Sequence, residues 1–519
     1  MFLITLQNRK DKILNQLNAT RKDKAADKRK ESASDEAIKL FQQVKELEAA
    51  KLKEIHPDVD VTAVQERATK YANKEIYRAT YQAMEAFIHN LNTMHSRAGA
   101  QVPFSSINYG TDTSPEGRLV MESVMLATEA GLGNGETPIF PIQIFRVKEG
   151  VNYNPGDPNY DLFQLAIKVS AKRLFPNFSF QDAPFNLASY NPDDVRTEIG
   201  YMGCRTRVVA NNYDKNNEIT YSRGNLSFTS INLPRLAIEA KGDEAEFYRN
   251  LKKYMDLCGK QLLDRFAIQK KKKVRNFPFL MGQGVWLGSE GLGPDDEVGE
   301  VLKHGTLSIG FIGLAETLTA LYGHHHGEGE EYQAKGLEIV GFMRNVVDEM
   351  CEKTGLNFSL LATPAEGLSG RFVRMDKKRF GRIAGVTDKD YYTNSFHVPV
   401  AYQISAFDKI RLEAPYHAFT NAGHITYVEL DGAVMNNIDA LEQIVDYAMD
   451  KDIPYMAINV PNDHCEDCGY TGEFNDSCPK CGSHNITQLR RVTGYLTGDY
   501  NTAFNEGKQQ ETEMRVKHQ

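Results

Sequence analysis

Four cysteines fall within seventeen residues near the end of the chain: Cys465-Glu-Asp-Cys468, nine residues, then Cys478-Pro-Lys-Cys481. Two such knuckles let four thiolates converge on one tetrahedral ion, with backbone N–H groups supporting the sulfurs. Four cysteine ligands leave no open position, so the spacing predicts a structural zinc site and not a catalytic one. A redox dithiol and an iron–sulfur site are the competing chemistries, and the pairing of two knuckles favours zinc over both. His464 and His484 lie nearby and are read as bystanders. A cysteine ribbon alone would also suit a nucleic-acid module. Its flanks are not strongly basic, however, and the chain carries a net charge of −8 with a pI near 6.0. That balance argues against a dedicated binder of nucleic acid or anionic membrane.

The other cysteines, Cys204, Cys258 and Cys351, bring the total to seven. An odd count with no signal peptide argues for thiols and metal ligands instead of disulfides, and for a cytoplasmic protein. No apolar run approaches the ~20 residues that span a bilayer.

Along the chain the character changes twice. Residues 1–70 are rich in Lys, Glu, Ala and Gln and read as a charged helical arm, solvated or partly disordered. In 71–95, Tyr81, Met84, Phe87, Ile88 and Leu91 recur at helical spacing and predict a packed helix. Up to residue 451, short apolar runs such as VPFSSINYG, PIFPIQIFRV, NLSFTSINLP, LSIGFIGLAE, NFSLLATPAEG and ITYVEL read as strands. Helical patterns such as DLFQLAIKVSAKRLF alternate with them, so the 71–451 region is expected to be α/β, a mainly parallel sheet or barrel with helices outside. A helix over 436–451 and a strand over 454–460 lead into a cysteine module over 452–519. Cys258 and Cys351 lie in helical patterns and are read as packed, and GHHHGEGEE (323–331) as a solvated loop.

Just past Cys481, the run RRVTGYL places Gly494 among β-formers. A glycine there marks a bulge, a turn or a close backbone approach. It has one further use, as a residue whose own Cα is the reagent. A radical at a glycine Cα is planar and delocalised over the flanking amide groups, and a Cβ would hinder both planarity and access.

CPKCGS, RVTGYL and the closing RVKH together resemble the tail of the anaerobic (class III) ribonucleotide reductases. HNLNTMHSRAGAQVPFSSINYGTDTS, YMGCRTRV, RGNLSFTSINLPRLAIE, NFPFLMGQGVWLGSEGLG, KHGTLSIGFIGLAE and LLATPAEGLSGRF extend that resemblance over residues 65 to 519. It implies a ten-stranded-type glycyl-radical barrel, partial in this chain, ending in a zinc ribbon and a glycyl radical loop. It also implies anaerobic reduction of ribonucleoside triphosphates to 2′-deoxyribonucleoside triphosphates. In that reading Gly494 stores the radical and Cys204 becomes the thiyl that takes the ribose 3′ hydrogen. Asn225 positions substrate or formate, and Thr363, Ala365, Glu366 and Gly367 present backbone N–H groups to the phosphates. Cys465, Cys468, Cys478 and Cys481 hold Zn2+.

Formate is the implied reductant. A radical-SAM activating enzyme, itself carrying the iron–sulfur cluster and S-adenosylmethionine, is the implied source of the radical. Nucleoside triphosphates are implied as substrates and effectors, and a homodimer of the core as the assembly. Members of the family carry more chain before HNLNTMH, including an ATP cone, early barrel strands and a second cysteine, whereas residues 1–203 here contain no cysteine. The first half of the barrel is therefore expected to be absent. A split enzyme completed by a complementing N-terminal polypeptide is preferred over a decayed copy or a stand-alone variant. The other functional readings are a different glycyl radical enzyme, such as a formate acetyltransferase, whose adjacent cysteines are lacking here, or a dehydratase, and an inactive zinc-stabilised scaffold; the zinc ribbon before the radical loop points to the reductase.

Overall fold

The computed structural model describes residues 29–95, 102–474, 476–492 and 499–518. Backbone contacts divide the chain into two units, residues 1–79 and 80–519. The first holds α1 (Arg29–Ile55) and the start of α2 (Val61–Thr93). Pro57 falls between them, where it removes no helical hydrogen bond. Asp60 starts α2 by accepting from Ala63 N at 3.0 Å. The boundary expected at 70/71 lies inside α2, and the first 28 residues lie outside the described residues.

In the second unit, Tyr81, Met84 and Phe87 pack on the core around buried Ile88, as their spacing predicts. Three parallel strands follow: β1 (Ser106–Tyr109), β2 (Ile142–Val147) and β3 (Asn177–Phe180). Beside β3, running antiparallel to it, lies β10 (Tyr455–Asn459), which pairs in parallel with β9 (Thr426–Glu429). A second parallel set comprises β6 (Asn225–Asn232), β7 (Thr306–Ile312) and β8 (Asn357–Ala362). The sets meet just before β9, where Ala422 N donates to Leu360 O at 2.9 Å and Ala362 N to Gly423 O at 3.1 Å. The spatial order is β1-β2-β3-β10-β9-β8-β7-β6, an arc of eight strands with β1 and β6 at its two ends.

The expectation that the first half of the barrel is absent is corrected by β1, β2 and β3. The sequence concealed β3 because its four residues, NFSF, sit between the end of a helix and a turn. The edges differ. Along β6, Phe228 O accepts from Arg265 Nη1 at 3.0 Å and Leu226 O from Gln269 Nε2 at 3.2 Å. Both donors belong to α6 (Glu244–Gln269), so side chains already cover the outer carbonyls of that edge.

Helices cover the outer faces. α3 (Pro115–Ala130), α4 (Tyr160–Lys172), α10 (Ala406–His417) and α11 (Ile438–Asp450) pack on one part of the arc. α5 (Leu233–Ala240), α6, α7 (Leu314–Tyr322) and α8 (Glu330–Thr354) pack on the other. β2, β7, β8 and β10 are buried on both faces and largely apolar, whereas β1 and β6, at the ends of the arc, are mostly half-buried. On β2, Ile142 and Ile144 point inward while Phe145 and Val147 meet the helices, and β10 alternates in the same way. On β7 the outward residues are Leu307, Ile309 and Phe311, while the inward ones include Ser308 and Gly310. A Cβ on Gly310 would lie 2.0 Å from Thr363 Oγ1, so glycine is what lets Ser230 and Thr363 hydrogen-bond across β7 at 2.8 Å.

A small sheet ordered β12-β11-β13 follows the arc: β11 (Asn462–Cys465), β12 (Thr471–Gly472) and β13 (Ile486–Leu489). The tail helix α12 (Glu506–Glu513) then packs on α9 (Gly367–Phe380). The GHHHGEGEE segment is not uniformly solvated. His324 is exposed, but His326 is fully buried against Tyr416 and is uncharged near neutrality, its pKa pushed down to about 3 by burial. Among the described residues no helix is long and apolar enough to cross a membrane.

Candidate active site and metal centre

Cys204 sits at the tip of a hairpin made by β4 (Tyr201–Met202) and β5 (Thr206–Arg207), which runs inside the arc. Gly203 makes the tip possible with a left-handed φ of +60°. The hairpin is held from both sides. Towards β1, Asn108 Nδ2 donates to Tyr201 O at 2.7 Å, Tyr201 N donates to Asn108 Oδ1 at 2.9 Å, and Gly203 N donates to Ser106 Oγ at 3.1 Å. Towards β8 and β9, Arg207 N donates to Ala422 O at 2.9 Å and His424 N to Arg205 O at 3.1 Å. Gly423 allows that close approach, since a Cβ there would lie 2.3 Å from Arg205 O.

Aromatic rings wall the tip. Tyr201 stacks on Tyr455 with ring centroids 4.2 Å apart, and the Tyr455 hydroxyl donates to Gly203 O at 3.4 Å. The Tyr201 hydroxyl lies 3.0 Å from His424 Nε2. Burial pushes the Cys204 thiol up, and the charge of Glu366 adds to that push, while Arg205 and Arg491 pull it down. Burial prevails, so the residue is held as S–H. A hydrogen-atom donor needs that form, whereas a thiolate nucleophile would need the opposite shift.

The segment leading to Gly494 enters the same enclosure. Arg490 and Arg491 point opposite ways. Arg490 pairs with buried Asp463 of β11. Arg491 is fully buried between the rings of Phe175, at 5.1 Å, and Tyr427, at 5.4 Å, and its Nη1 donates to Asn177 Oδ1 at 2.7 Å. Val492, the next residue, is fully buried. Gly494 itself lies outside the described residues. The chain resumes at Asp499, whose carboxylate accepts from Gln488 N at 2.8 Å. The closing RVKH fastens this entry. Arg515 Nη1 donates to Arg491 O at 2.6 Å and pairs with Glu429 at 2.9 Å, Val516 N donates to Val400 O at 2.9 Å, and His518 N donates to Glu429 O at 2.8 Å.

Of the remaining candidates, Glu366 lies within Coulombic reach of Cys204, while Asn225 lies at the other end of the β6-β7-β8 set from the turn that holds Glu366. Asn225 opens β6 at a bulge; its Nδ2 donates to Ser308 Oγ at 3.0 Å and its Oδ1 accepts from Ser227 N at 3.1 Å. Thr363, Ala365, Glu366 and Gly367 form the turn from β8 into α9. The Ala365 N–H is already engaged, donating to Asn394 Oδ1 at 2.6 Å and to Thr363 O at 2.9 Å. Glu366 and Gly367 are exposed at the start of α9, with open space beside the Gly367 Cα. Arg205 is fully buried, with Nη1 donating to Ala362 O at 3.1 Å. The sequence singled out none of Arg205, Arg491, Tyr201, Tyr427 and Tyr455. The only signal for Arg491 was its place in front of VTGYL.

Cys465, Cys468, Cys478 and Cys481 do converge, their four Sγ atoms lying within 4.8 Å of one another. Cys465–Cys481 and Cys468–Cys478 are each 3.6 Å apart. A tetrahedral zinc with Zn–S bonds of ~2.3 Å would set such edges at about 3.8 Å. Each knuckle closes on a left-handed glycine, Gly469 and Gly482, whose N–H groups donate to Cys465 O at 2.9 Å and Cys478 O at 2.8 Å. Asp467 braces the two knuckles, accepting from Asn485 Nδ2 at 2.9 Å and from the Ser483 hydroxyl. The residues present fit a structural metal.

Residues 21–518 match the family model described as anaerobic ribonucleoside-triphosphate reductase. The enzyme of that name from Escherichia coli (strain K12) is 40% identical over 463 residues, covering 87% of this chain and 63% of its own. The one from Enterobacteria phage T4 is 36% identical over 467 residues, covering 87% of this chain and 74% of its own. The chain thus spans about 63% of the length of its bacterial relatives. A solved anaerobic ribonucleotide reductase superposes with a TM-score of 0.65 at 18% identity, over 86% of this chain and 68% of that one. The Thermotoga maritima enzyme, solved with dATP and CTP, gives 0.60 at 18% identity, over 85% and 69%. These likenesses show the same fold. By the match over nearly its whole length, the chain belongs to the anaerobic ribonucleoside-triphosphate reductase family.

Proposed function

We propose that the chain is the catalytic part of an enzyme that reduces ribonucleoside triphosphates to 2′-deoxyribonucleoside triphosphates by glycyl and thiyl radical chemistry. The observation that carries this is the meeting of two segments: the neutral Cys204 thiol at the hairpin tip, and the Arg491–Val492 entry buried within Coulombic reach of it. A radical installed at Gly494 supplies an acceptor for the Cys204 hydrogen atom. The chain's own residues do the rest. The hairpin aims the Cys204 sulfur, and Tyr201, Tyr427 and Tyr455 keep water from it. Asn225 orients the ribose or the reductant, and the Thr363–Gly367 turn receives the phosphates. The net reaction consumes formate and a proton and releases carbon dioxide and water for each 2′ hydroxyl removed.

Zn2+ at the four cysteines has a structural role, fixing β13 and hence the Arg490–Arg491 entry. A radical-SAM activase, a homodimer of the core and nucleoside triphosphate effectors complete the proposal. Early strands borne by a complementing polypeptide would add at β1, since α6 side chains already cover the β6 edge. Affinity capture from source cells checks that last element, and an active lone chain would refute it.

The test of function is anaerobic activation followed by electron paramagnetic resonance. A doublet that vanishes in Gly494→Ala, with air exposure then releasing a fragment of roughly 3 kDa, supports the proposal. A silent, uncut chain supports the scaffold reading.

A further inference from the structure

A cavity lies at the opposite end of β6, β7 and β8 from the Thr363–Gly367 turn. Its volume is about 150 Å³. That is well below the ~300–1,000 Å³ that encloses a drug-sized ligand, so a nucleotide does not fit, whereas a ligand of a few heavy atoms does. Its floor is formed by buried Arg207, Asn357, Phe358 and Ser359, and its mouth by Asn212, Arg344 and Asp348.

The charges are unbalanced. Arg344 is neutralised by Asp348, whose two carboxylate oxygens each accept from its Nε at 2.9 Å. Arg207 has no such partner among the described residues. Its Nε donates to Asn421 O at 3.3 Å and its Nη1 to the Asn186 amide oxygen and to the Tyr201 hydroxyl, all neutral groups. Burial and the charge of Arg344 both lower its proton affinity. The lining amides are tied up: Asn357 Nδ2 donates to Lys303 O at 2.9 Å, its Oδ1 accepts from Asn212 N at 2.7 Å, and Asn421 Oδ1 accepts from Leu360 N at 2.9 Å. The Nη2 groups of Arg207 and Arg344 remain as donors. Two guanidiniums and one carboxylate around a polar cavity make a site that lacks one negative charge.

A hydrogen-bonded row of side chains runs from the cavity wall to Asn225. Ser359 Oγ, on its wall, lies 2.9 Å from Ser308 Oγ, and Ser308 Oγ accepts from Asn225 Nδ2 at 3.0 Å. Arg207 is on the hairpin that carries Cys204.

We propose that this cavity is a binding site for a small monoanionic oxyanion, one row of hydroxyls away from Asn225. Resting on the reductase reading, the ligand is formate. The larger oxyanions bicarbonate and phosphate share the chemistry and serve as comparison ligands.

The test titrates 13C-formate into the full chain and follows its line width, a readout that requires no radical. Wild type is expected to broaden the signal saturably, and nitrate to compete. Arg344→Gln is expected to weaken binding at least about tenfold, the scale of one charge-assisted contact. Asp348→Asn, which leaves Arg344 unneutralised, is expected to tighten it. Opposite signs from neighbouring substitutions separate a site from a folding defect. Unsaturable broadening, or identical affinity in both variants, overturns the site. Saturable binding of phosphate or bicarbonate with none of formate overturns formate as its ligand. The reductase reading fails separately, by absence of the Gly494 doublet, which leaves a formate site standing.

Discussion

Arg515 Nη1 donates to the carbonyl of Arg491 at 2.6 Å, so a residue five from the end of the chain fastens the segment that leads to Gly494. The same guanidinium pairs with Glu429 of β9 at 2.9 Å and is largely buried. Arg515→Ala would leave the Glu429 carboxylate without its cation, held only by Asn459 Nδ2 at 2.8 Å, and free the Arg491 backbone. A loss of about 3 kcal/mol in stability is expected, as for a broken buried pair. The glycyl doublet should also decay faster under anaerobic conditions, as recorded by timed electron paramagnetic resonance. Wild-type decay and stability would show that the tail does not fasten the entry.

Lys409 and Glu413 form a second buried pair, one turn apart on α10. Glu413 also faces His397 Nδ1 at 3.2 Å and accepts from the Thr426 hydroxyl at 3.0 Å. These partners hold its carboxylate well below the usual range despite burial. Lys409→Met removes the cation and leaves the anion buried, an expected loss of about 3–5 kcal/mol. Lys409→Met with Glu413→Leu should recover most of it. Denaturant titration of the three chains checks both.

Acid should destabilise the fold through histidines buried without charge. His397 is pushed down to about 4 and His518 to about 3, while His417 and His424 lie well below their ordinary value, burial being the largest cause in each. Unfolded histidine binds its proton near 6.5. Between that pH and about 4 the unfolded chain holds more protons, so stability must fall as pH drops through this window. Thermal midpoints at pH 7, 6 and 5 should decline in order. His518→Gln should shallow the slope, and a flat profile would contradict neutral burial.

The four-cysteine cluster predicts about one zinc per chain by elemental analysis. Cys465→Ser should lose it. Because β13 runs straight into Arg490 and Arg491, metal loss should also expose the tail to limited proteolysis. A zinc-free chain with a protected tail would separate the ribbon from the entry.

The sequence revealed most where chemistry and spacing coincide. The four cysteines converge as their knuckles require, because Cys-x-x-Cys followed by glycine encodes its own turn. Strands β6, β7, β8, β9 and β10 were legible as short apolar runs set between helical patterns and turns. β3 was not, since NFSF follows directly on DLFQLAIKVSAKRLF, a run that reads as helix. The arginines around Cys204 were hidden for a different reason. Nothing in the sequence marks Arg205 or Arg491 as buried, and only tertiary packing places them against Tyr427. Gly494 was legible as a motif and lies outside the described residues.

The central claim is that Gly494 acts through Cys204. The most direct measurement is the amount of deoxyribonucleotide formed by radical-loaded Cys204→Ala, beside equally loaded wild type, with the early strands supplied to both. The predicted result is a full glycyl doublet in each and product from wild type alone. Product from Cys204→Ala at the wild-type rate would contradict it.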